Sequence, residues 1–151
     1  MKRHRLVVLT SVAALLMLAT GAFAIVRAGP STASRMGALG PGEVTVRIDI
    51  DRSRFSTDRI RVLPHTEVRF IVVNHDPIGH ELIVGGPDVH ARHANGHEAY
   101  HPPVPGEVSV PADGRASTTY SFHGIGPVEY ACHLPGHYQY GMHGVVEVVA
   151  R

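Results

Sequence analysis

The sequence predicts an all-β fold, a β-sandwich of seven to eight short strands. Between residues 44 and 50 apolar and polar side chains alternate strictly, which is the period of a half-buried strand. Further runs rich in β-branched and aromatic residues recur at roughly even spacing, with turn residues between them. The sequence after the apolar N-terminus shows no convincing helical period, and this combination is typical of sandwiches and barrels.

The predicted strands follow one another closely along the chain. The third run is the richest in β-branched residues, and Asp113-Gly114 marks a turn ahead of the sixth. Residues 85–106, edged by Gly and Pro, interrupt the series and are expected to form a long loop. The predicted strands are 44–50, 60–62, 67–73, 80–84, 107–110, 115–122, 128–132 and 144–149.

The N-terminus has the pattern of an export signal. Lys2, Arg3 and Arg5 precede an uncharged apolar run at residues 6–26, which contains the small-residue triplet Ala22-Phe23-Ala24. Residues 1–24 therefore form a signal peptide cleaved after Ala24, or an uncleaved anchor, because the apolar run is long enough to span a bilayer. In both cases we expect the rest of the chain to be periplasmic or extracytoplasmic.

The remainder predicts one domain on a tether. Residues 25–42 are small, polar and rich in Gly and Pro, so they predict a flexible linker, and residues 43–151 predict a single domain and a monomer. Without the three basic residues of the leader, the chain has 11 basic and 13 acidic residues. This slightly negative net charge gives no sign of nucleic-acid binding. One cysteine excludes an internal disulfide, and metal ligation would explain a lone thiol in an exported protein.

The strongest functional motif lies near the C-terminus. Cys132, His137 and Met142 supply a thiolate, an imidazole and a thioether at a spacing of Cys-x4-His-x4-Met. A blue-copper electron-transfer centre has three ligands in a trigonal arrangement, two imidazoles and one thiolate, and a methionine as a weak axial ligand. His80 is the candidate for the second imidazole. The sequence thus predicts one mononuclear type 1 copper site.

These residues resemble the ligand segments of the cupredoxins. The Tyr-x-Cys strand end and the loop that follows are most similar to rusticyanin- and sulfocyanin-type loops, and residues 72–84 resemble the strand that carries the first histidine of the family. The resemblance spans about residues 44–149. It implies a Greek-key β-sandwich with copper at one end, held by His80, Cys132, His137 and Met142.

One position departs from the resemblance. Blue-copper proteins often place Asn or Ser beside the first histidine, where the side chain ties the two ligand loops together, and this chain has Glu81 there. A buried, unpaired carboxylate would be costly. We therefore expect Glu81 to pair with an arginine or to remain solvated.

The long loop carries four histidines whose role the sequence leaves open. Their spacings of three, four and four fit one face of a short helix or a flexible segment that sequesters copper. Because Gly96 and the Pro102-Pro103 pair disfavour a helix, we favour a solvated polar loop. These residues are His90, His93, His97 and His101.

The motifs favour a copper protein that is not an enzyme. A binuclear copper centre needs two cysteines, and a trinuclear cluster needs His-x-His pairs that this sequence lacks. We expect a one-electron carrier that cycles between Cu(II) and Cu(I) and meets redox partner proteins at the apolar face around His137. The alternatives are a copper-binding protein for copper tolerance or delivery and, third, a colourless structural zinc site.

Overall fold

Two β-sheets make up the protein in its computed structural model, which describes residues 37–96 and 102–151. The predictions for residues 1–36, for His97 and for His101 lie outside the described residues. Eight strands and one helix form the described part. They are β1 (Gly42–Ile50), β2 (Arg59–Val62), β3 (Thr66–Asn74), β4 (His80–Gly85), α1 (Pro87–Ala94), β5 (Glu107–Val110), β6 (Arg115–Phe122), β7 (Gly126–Ala131) and β8 (His143–Val148).

The eight strands are divided between a three-stranded and a five-stranded sheet. The small sheet has the order β1-β3-β6 and the large one the order β2-β8-β7-β4-β5. Pairing is parallel for β1 with β3 and for β2 with β8, and antiparallel elsewhere. The chain therefore crosses between the sheets several times, and this confirms the predicted β-sandwich with all eight predicted strands within two residues of their expected ends.

The core lies between the two sheets, and the alternation in the sequence explains it. In β3 every second residue is buried, with Val68, Phe70 and Val72 fully so. β4 is buried along its whole length because β5 and β7 flank it and α1 packs on it. Close packing of this kind supplies most of the free energy that stabilises a small β-domain.

The sandwich extends into the segment that the sequence assigns to the tether. Leu39 forms a bridge with Val62, and its backbone exchanges hydrogen bonds with Arg61 and Leu63 at 2.9 and 2.8 Å. Gly40 allows this close approach, because a Cβ there would lie 2.0 Å from the hydroxyl of Thr66. Residues 39–42 are therefore part of the sandwich in this structure.

The expected long loop contains a helix, and this corrects the prediction of a solvated polar segment. α1 begins at Pro87, a residue suited to the first helical position, and ends at Ala94. Gly96 follows the helix end and so does not disrupt it. Within the described ranges no helix is both long and apolar enough to cross a bilayer.

Candidate metal centre

Three side chains that the sequence singled out converge in the structure. One donor atom from each of His80, Cys132 and His137 lies within 4.8 Å of the others. The Nδ1 atom of His137 is 3.2 Å from Nδ1 of His80 and 3.3 Å from Sγ of Cys132. Two imidazoles and a thiol at such distances can close around one metal ion, and this donor set fits copper.

The strand order explains why these residues meet. β4 begins at His80 and lies beside β7 in the large sheet, and Cys132 immediately follows the end of β7. His137 belongs to the loop between β7 and β8. Residues that are 52 positions apart in the sequence therefore reach the same end of the sandwich.

His80 is held by a carboxylate that the sequence analysis missed. Its Nε2 lies 2.9 Å from the carboxylate of Asp76, so Nε2 carries the proton and Nδ1 is left as the donor atom that faces the cluster. Burial and the neighbouring His137 lower the pKa of His80, although the carboxylate of Asp76 acts in the opposite direction. The imidazole is therefore neutral at neutral pH, as metal ligation requires.

Asp76 is itself fixed by the backbone. The amides of Arg52 and Ser53 each donate a 2.7 Å hydrogen bond to its carboxylate. Burial opposes ionisation, but these amides and His80 outweigh it, so the pKa of Asp76 is lowered. A sequence signal existed, since Asp76 follows the end of β3 by two residues and precedes the candidate ligand His80 by four.

Cys132 is fully buried in the core. Burial raises the pKa of its thiol to about 12, although the backbone amides of Glu81 and Leu134 act in the opposite direction. Without a metal the sulfur therefore carries its proton at neutral pH, and a bound metal ion would have to displace that proton. The amides would then stabilise the thiolate.

The loop from Cys132 to Met142 closes on itself through the backbone. The Cys132 amide donates to the Met142 carbonyl at 3.0 Å, and the Met142 amide donates to the His137 carbonyl at 3.0 Å. Met142 is fully buried in the same core cluster as Cys132. His137, in contrast, is half-buried and lies at the surface end of the cluster.

Glu81 does not behave as the sequence analysis expected. Only 3 % of it is exposed, so it is not solvated, and the basic side chain that approaches it within the described residues is His93, at 3.8 Å, in place of an arginine. Its Oε1 accepts a 2.7 Å hydrogen bond from the backbone amide of His133. Glu81 thus ties the two ligand segments together, which is the role that Asn or Ser has in the proteins that the sequence resembles.

A second group of histidines lies beside this cluster. His90 of α1 is buried, and its Nδ1 lies 2.8 Å from Nε2 of His133. His93 of α1 stacks on His133 and is 2.8 Å from the carboxylate of Glu107. Burial, followed by the neighbouring imidazoles, lowers the pKa of His133 to about 4. Two of the four loop histidines are therefore packed against the domain.

Comparison with known proteins agrees with the fold and the cluster. No family model matches the sequence. Over 118 residues the chain is 32% identical to the copper-resistant cuproprotein CopI of Rubrivivax gelatinosus, which covers 76% of this chain and 72% of that protein. Auracyanin B is similar in structure, with a TM-score of 0.58 and 25% identity over 75% of this chain and 93% of its own. Auracyanin A, a blue copper protein of Chloroflexus aurantiacus, has a TM-score of 0.55 and 23% identity over 72% of this chain and 100% of its own.

A β-sandwich that buries a thiol between two imidazoles at one end is the architecture of a cupredoxin. Fold, cluster and relatives agree, and the chain belongs to the cupredoxin family. Within that family it is similar to the cuproprotein CopI.

Proposed function

We propose that the chain is an exported, mononuclear blue-copper protein that carries one electron and is not an enzyme. The observation that carries this proposal is the convergence of His80, Cys132 and His137 within 4.8 Å at a buried site. One thiolate and two neutral imidazoles are the equatorial ligands of a type 1 copper site. The apolar, basic-flanked N-terminus supports export.

Four residues have distinct roles in the proposed site. Cys132 supplies the strong thiolate bond, and His80 and His137 supply imidazole nitrogen through Nδ1. Met142 would hold the metal weakly through its thioether, and the burial of its side chain and the backbone hydrogen bonds to Cys132 and His137 support this role. A bound copper ion would supply the one-electron chemistry, Cu(II) to Cu(I).

The protein part of the site favours electron transfer because it is held in place before any metal binds. Asp76 fixes the tautomer of His80, and Glu81 fixes the backbone at His133. A ligand set that moves little between oxidation states lowers the reorganisation that each electron transfer requires. The buried thiolate is shielded from oxidants and from competing ligands.

Redox partners would meet the surface around His137. This imidazole is half-buried, and beside it Pro135 and Tyr140 are exposed, the latter at 71%. Transient redox complexes use small contact areas, so a short apolar loop of this size is sufficient. We propose that electrons enter and leave through the His137 ring and that the protein acts as a monomer.

Copper titration of the purified chain, with visible spectra, tests the proposed site. In wild-type protein the first equivalent of copper should bind tightly and give an intense blue charge-transfer band from the thiolate. Cys132→Ser should abolish the band, while His123→Gln, at an exposed position, should keep it. A Cys132→Ser protein that stays blue would rule out the assignment.

Copper tolerance or delivery is the second candidate function. The relative at 32% identity is a copper-resistant cuproprotein, and this supports copper handling as the purpose of the same site. The two functions differ in whether copper leaves the protein. A carrier keeps its metal through reduction, whereas a delivery protein gives up Cu(I).

Repeated redox cycling in the presence of a strong Cu(I) chelator separates these functions. If the protein is an electron carrier, the blue band should return fully after each cycle of reduction by ascorbate and reoxidation. Loss of the band to the chelator, at a rate faster than global unfolding, would favour delivery. Protein unfolded in urea provides the control for complete release.

A further inference from the structure

We propose a second copper site, specific for Cu(II), whose protein ligands are Nδ1 of His90 and Nε2 of His133. The site lies between helix α1 and the loop that follows β7. It uses none of the four residues assigned to the blue-copper site. The proposal therefore stands or fails independently of the electron-carrier function.

The distance between the two nitrogens fits Cu(II). They are 2.8 Å apart. Two nitrogens that each lie about 2.0 Å from a metal subtend about 90° at this separation, which is the cis arrangement of a tetragonal copper site. Tetrahedral zinc would separate the same atoms by about 3.3 Å.

The lone pair of His90 points at His133. Nε2 of His90 lies 3.3 Å from the backbone carbonyl of Glu129, so Nε2 carries the proton and donates it there. Nδ1 then accepts, and in the metal-free protein Nε2–H of His133 donates to it. A metal ion bound by both nitrogens would lie to the side of the line that joins them, so each ring would turn by about 45° toward it. The proton of His133 then moves to its own Nδ1, and both facing nitrogens become ligands without net proton release.

The surrounding contacts hold the two rings next to each other before a metal binds. His90 is only 7 % exposed and is anchored on α1. The ring of His133 stacks on Tyr138 at a centroid distance of 5.4 Å and an interplanar angle of 10°. Tyr138 is fixed in turn, because its hydroxyl donates to the carboxylate of Glu129 at 2.8 Å.

A pocket gives solvent and metal access to this pair. Its volume is about 460 Å³, and His90, His133, Glu129 and Tyr138 are among its lining residues. The space allows water to complete a tetragonal coordination shell. The carboxylate of Glu129, 3.9 Å from Nε2 of His90, supplies negative charge beside the cation.

Electron paramagnetic resonance of the full chain during Cu(II) titration tests the proposal. The first equivalent should fill the blue site, and the second should give a tetragonal signal with hyperfine structure from two nitrogens and no added blue absorption. His90→Gln and His133→Gln should each reduce the bound copper from two equivalents to one. The control His123→Gln, at an exposed position, should keep both.

The blue band reports whether each variant is folded. His133 is adjacent to Cys132, so His133→Gln could disturb the blue site as well. If that variant loses the blue band, the copper stoichiometry of His90→Gln alone tests the second site. Absence of the tetragonal two-nitrogen signal from wild-type protein would overturn the proposal, whether or not the blue site fills. So would a tetragonal signal that persists in His90→Gln, since the copper would then occupy other histidines.

Discussion

The carboxylate of Glu81 accepts a 2.7 Å hydrogen bond from the backbone amide of His133, a residue 52 positions further along the chain. Glu81 follows His80 at the start of β4, and His133 follows Cys132 at the end of β7. One side chain therefore connects the backbones next to two of the three clustered residues. Because Glu81 is only 3 % exposed, its carboxylate depends on this hydrogen bond for its solvation.

Removal of this carboxylate should destabilise the metal-free domain. Glu81→Ala leaves the buried His133 amide without its partner, and we expect a loss of about 1–3 kcal/mol in the free energy of unfolding. Glu81→Gln keeps an acceptor oxygen and should lose less. Urea denaturation of the metal-free domain measures both, with Glu67→Ala, at an exposed position, as the control. Equal losses for Ala and Gln would show that the hydrogen bond does not matter.

Replacement of Asp76 should weaken copper binding more than it changes the fold. Asp76→Asn keeps the shape but removes the charge that fixes His80, and loss of such a partner lowers metal affinity roughly 10–100-fold. Competition with a copper chelator measures the affinity. The surface pair of Asp49 and His75, with a contact of 2.8 Å, provides the matched control. Asp49→Asn should leave the copper affinity unchanged.

Replacement of Met142 should change the reduction potential and leave the blue band in place. Met142→Leu conserves side-chain volume at a fully buried position, so the stability cost should be below about 1.5 kcal/mol. Loss of the axial thioether removes a donor that stabilises Cu(II) and should raise the potential. Voltammetry of the copper-loaded variant measures the shift. An unchanged potential would mean that Met142 only fills the core.

Gly144 tests the packing that supports the ligand loop. A Cβ at this position would lie 2.3 Å from the ring and hydroxyl of Tyr130 and 2.8 Å from the carbonyl of Asp58, which is backbone and yields little. Gly144→Ala should therefore cost about 1–3 kcal/mol of stability. At Gly124 an added Cβ has no neighbour within 4 Å. Gly124→Ala should change the midpoint of thermal unfolding by much less.

The ion pairs of Arg92 and His93 with Glu107, which attach α1 to β5, should make the stability of the domain depend on pH. Burial opposes its ionisation, but hydrogen bonds from His93 and Arg92 outweigh it and lower the pKa of Glu107 below the usual 4.5. A lowered pKa in the folded state means that the stabilisation is complete above pH 4.5 and is lost as the pH falls through the folded-state value. Since Arg92 is largely exposed, the contribution should not exceed about 1 kcal/mol.

Urea midpoints between pH 7 and pH 3 measure this dependence. Wild-type protein should lose more stability than Glu107→Gln over the acid half of that range. Glu43→Gln, at an exposed position on β1, serves as the matched control and should follow the wild type. Parallel curves for wild type and Glu107→Gln would refute the role of this carboxylate.

The strands were predictable because their alternation in the sequence has a direct physical cause. Residues 44–50 and 67–73 alternate since one face of each strand is buried against the other sheet. Helix α1 was missed because its stability comes from tertiary contacts. An isolated helix of eight residues is only marginally stable, and the ion pairs of Arg92 and His93 with Glu107 attach this one to the domain.

The candidate site was predictable where its chemistry is local in sequence. Cys132, His137 and Met142 share one loop, and their spacing identifies them, whereas their roles as ligands stay a prediction. Asp76 lies only four residues before His80, but the amides that fix it belong to Arg52 and Ser53, 24 and 23 residues earlier. Glu81 acts on His133, 52 residues further along, and nothing in the sequence spacing indicates that partner. The expectation that Glu81 would pair with an arginine was wrong because a backbone amide proved to be its partner.

The loop from Cys132 to Met142 holds three of the four proposed donors within eleven consecutive residues, and its own main chain closes it at Cys132, His137 and Met142. The main chain of this segment therefore fixes much of its own shape, and Glu81 of β4 ties it to the large sheet. If the segment is transplanted into another β-sandwich that already has a histidine at the equivalent position, Cys132, His137 and Met142 should keep their relative positions. Insertions within it should likewise retune the centre and leave the supporting sheets unchanged.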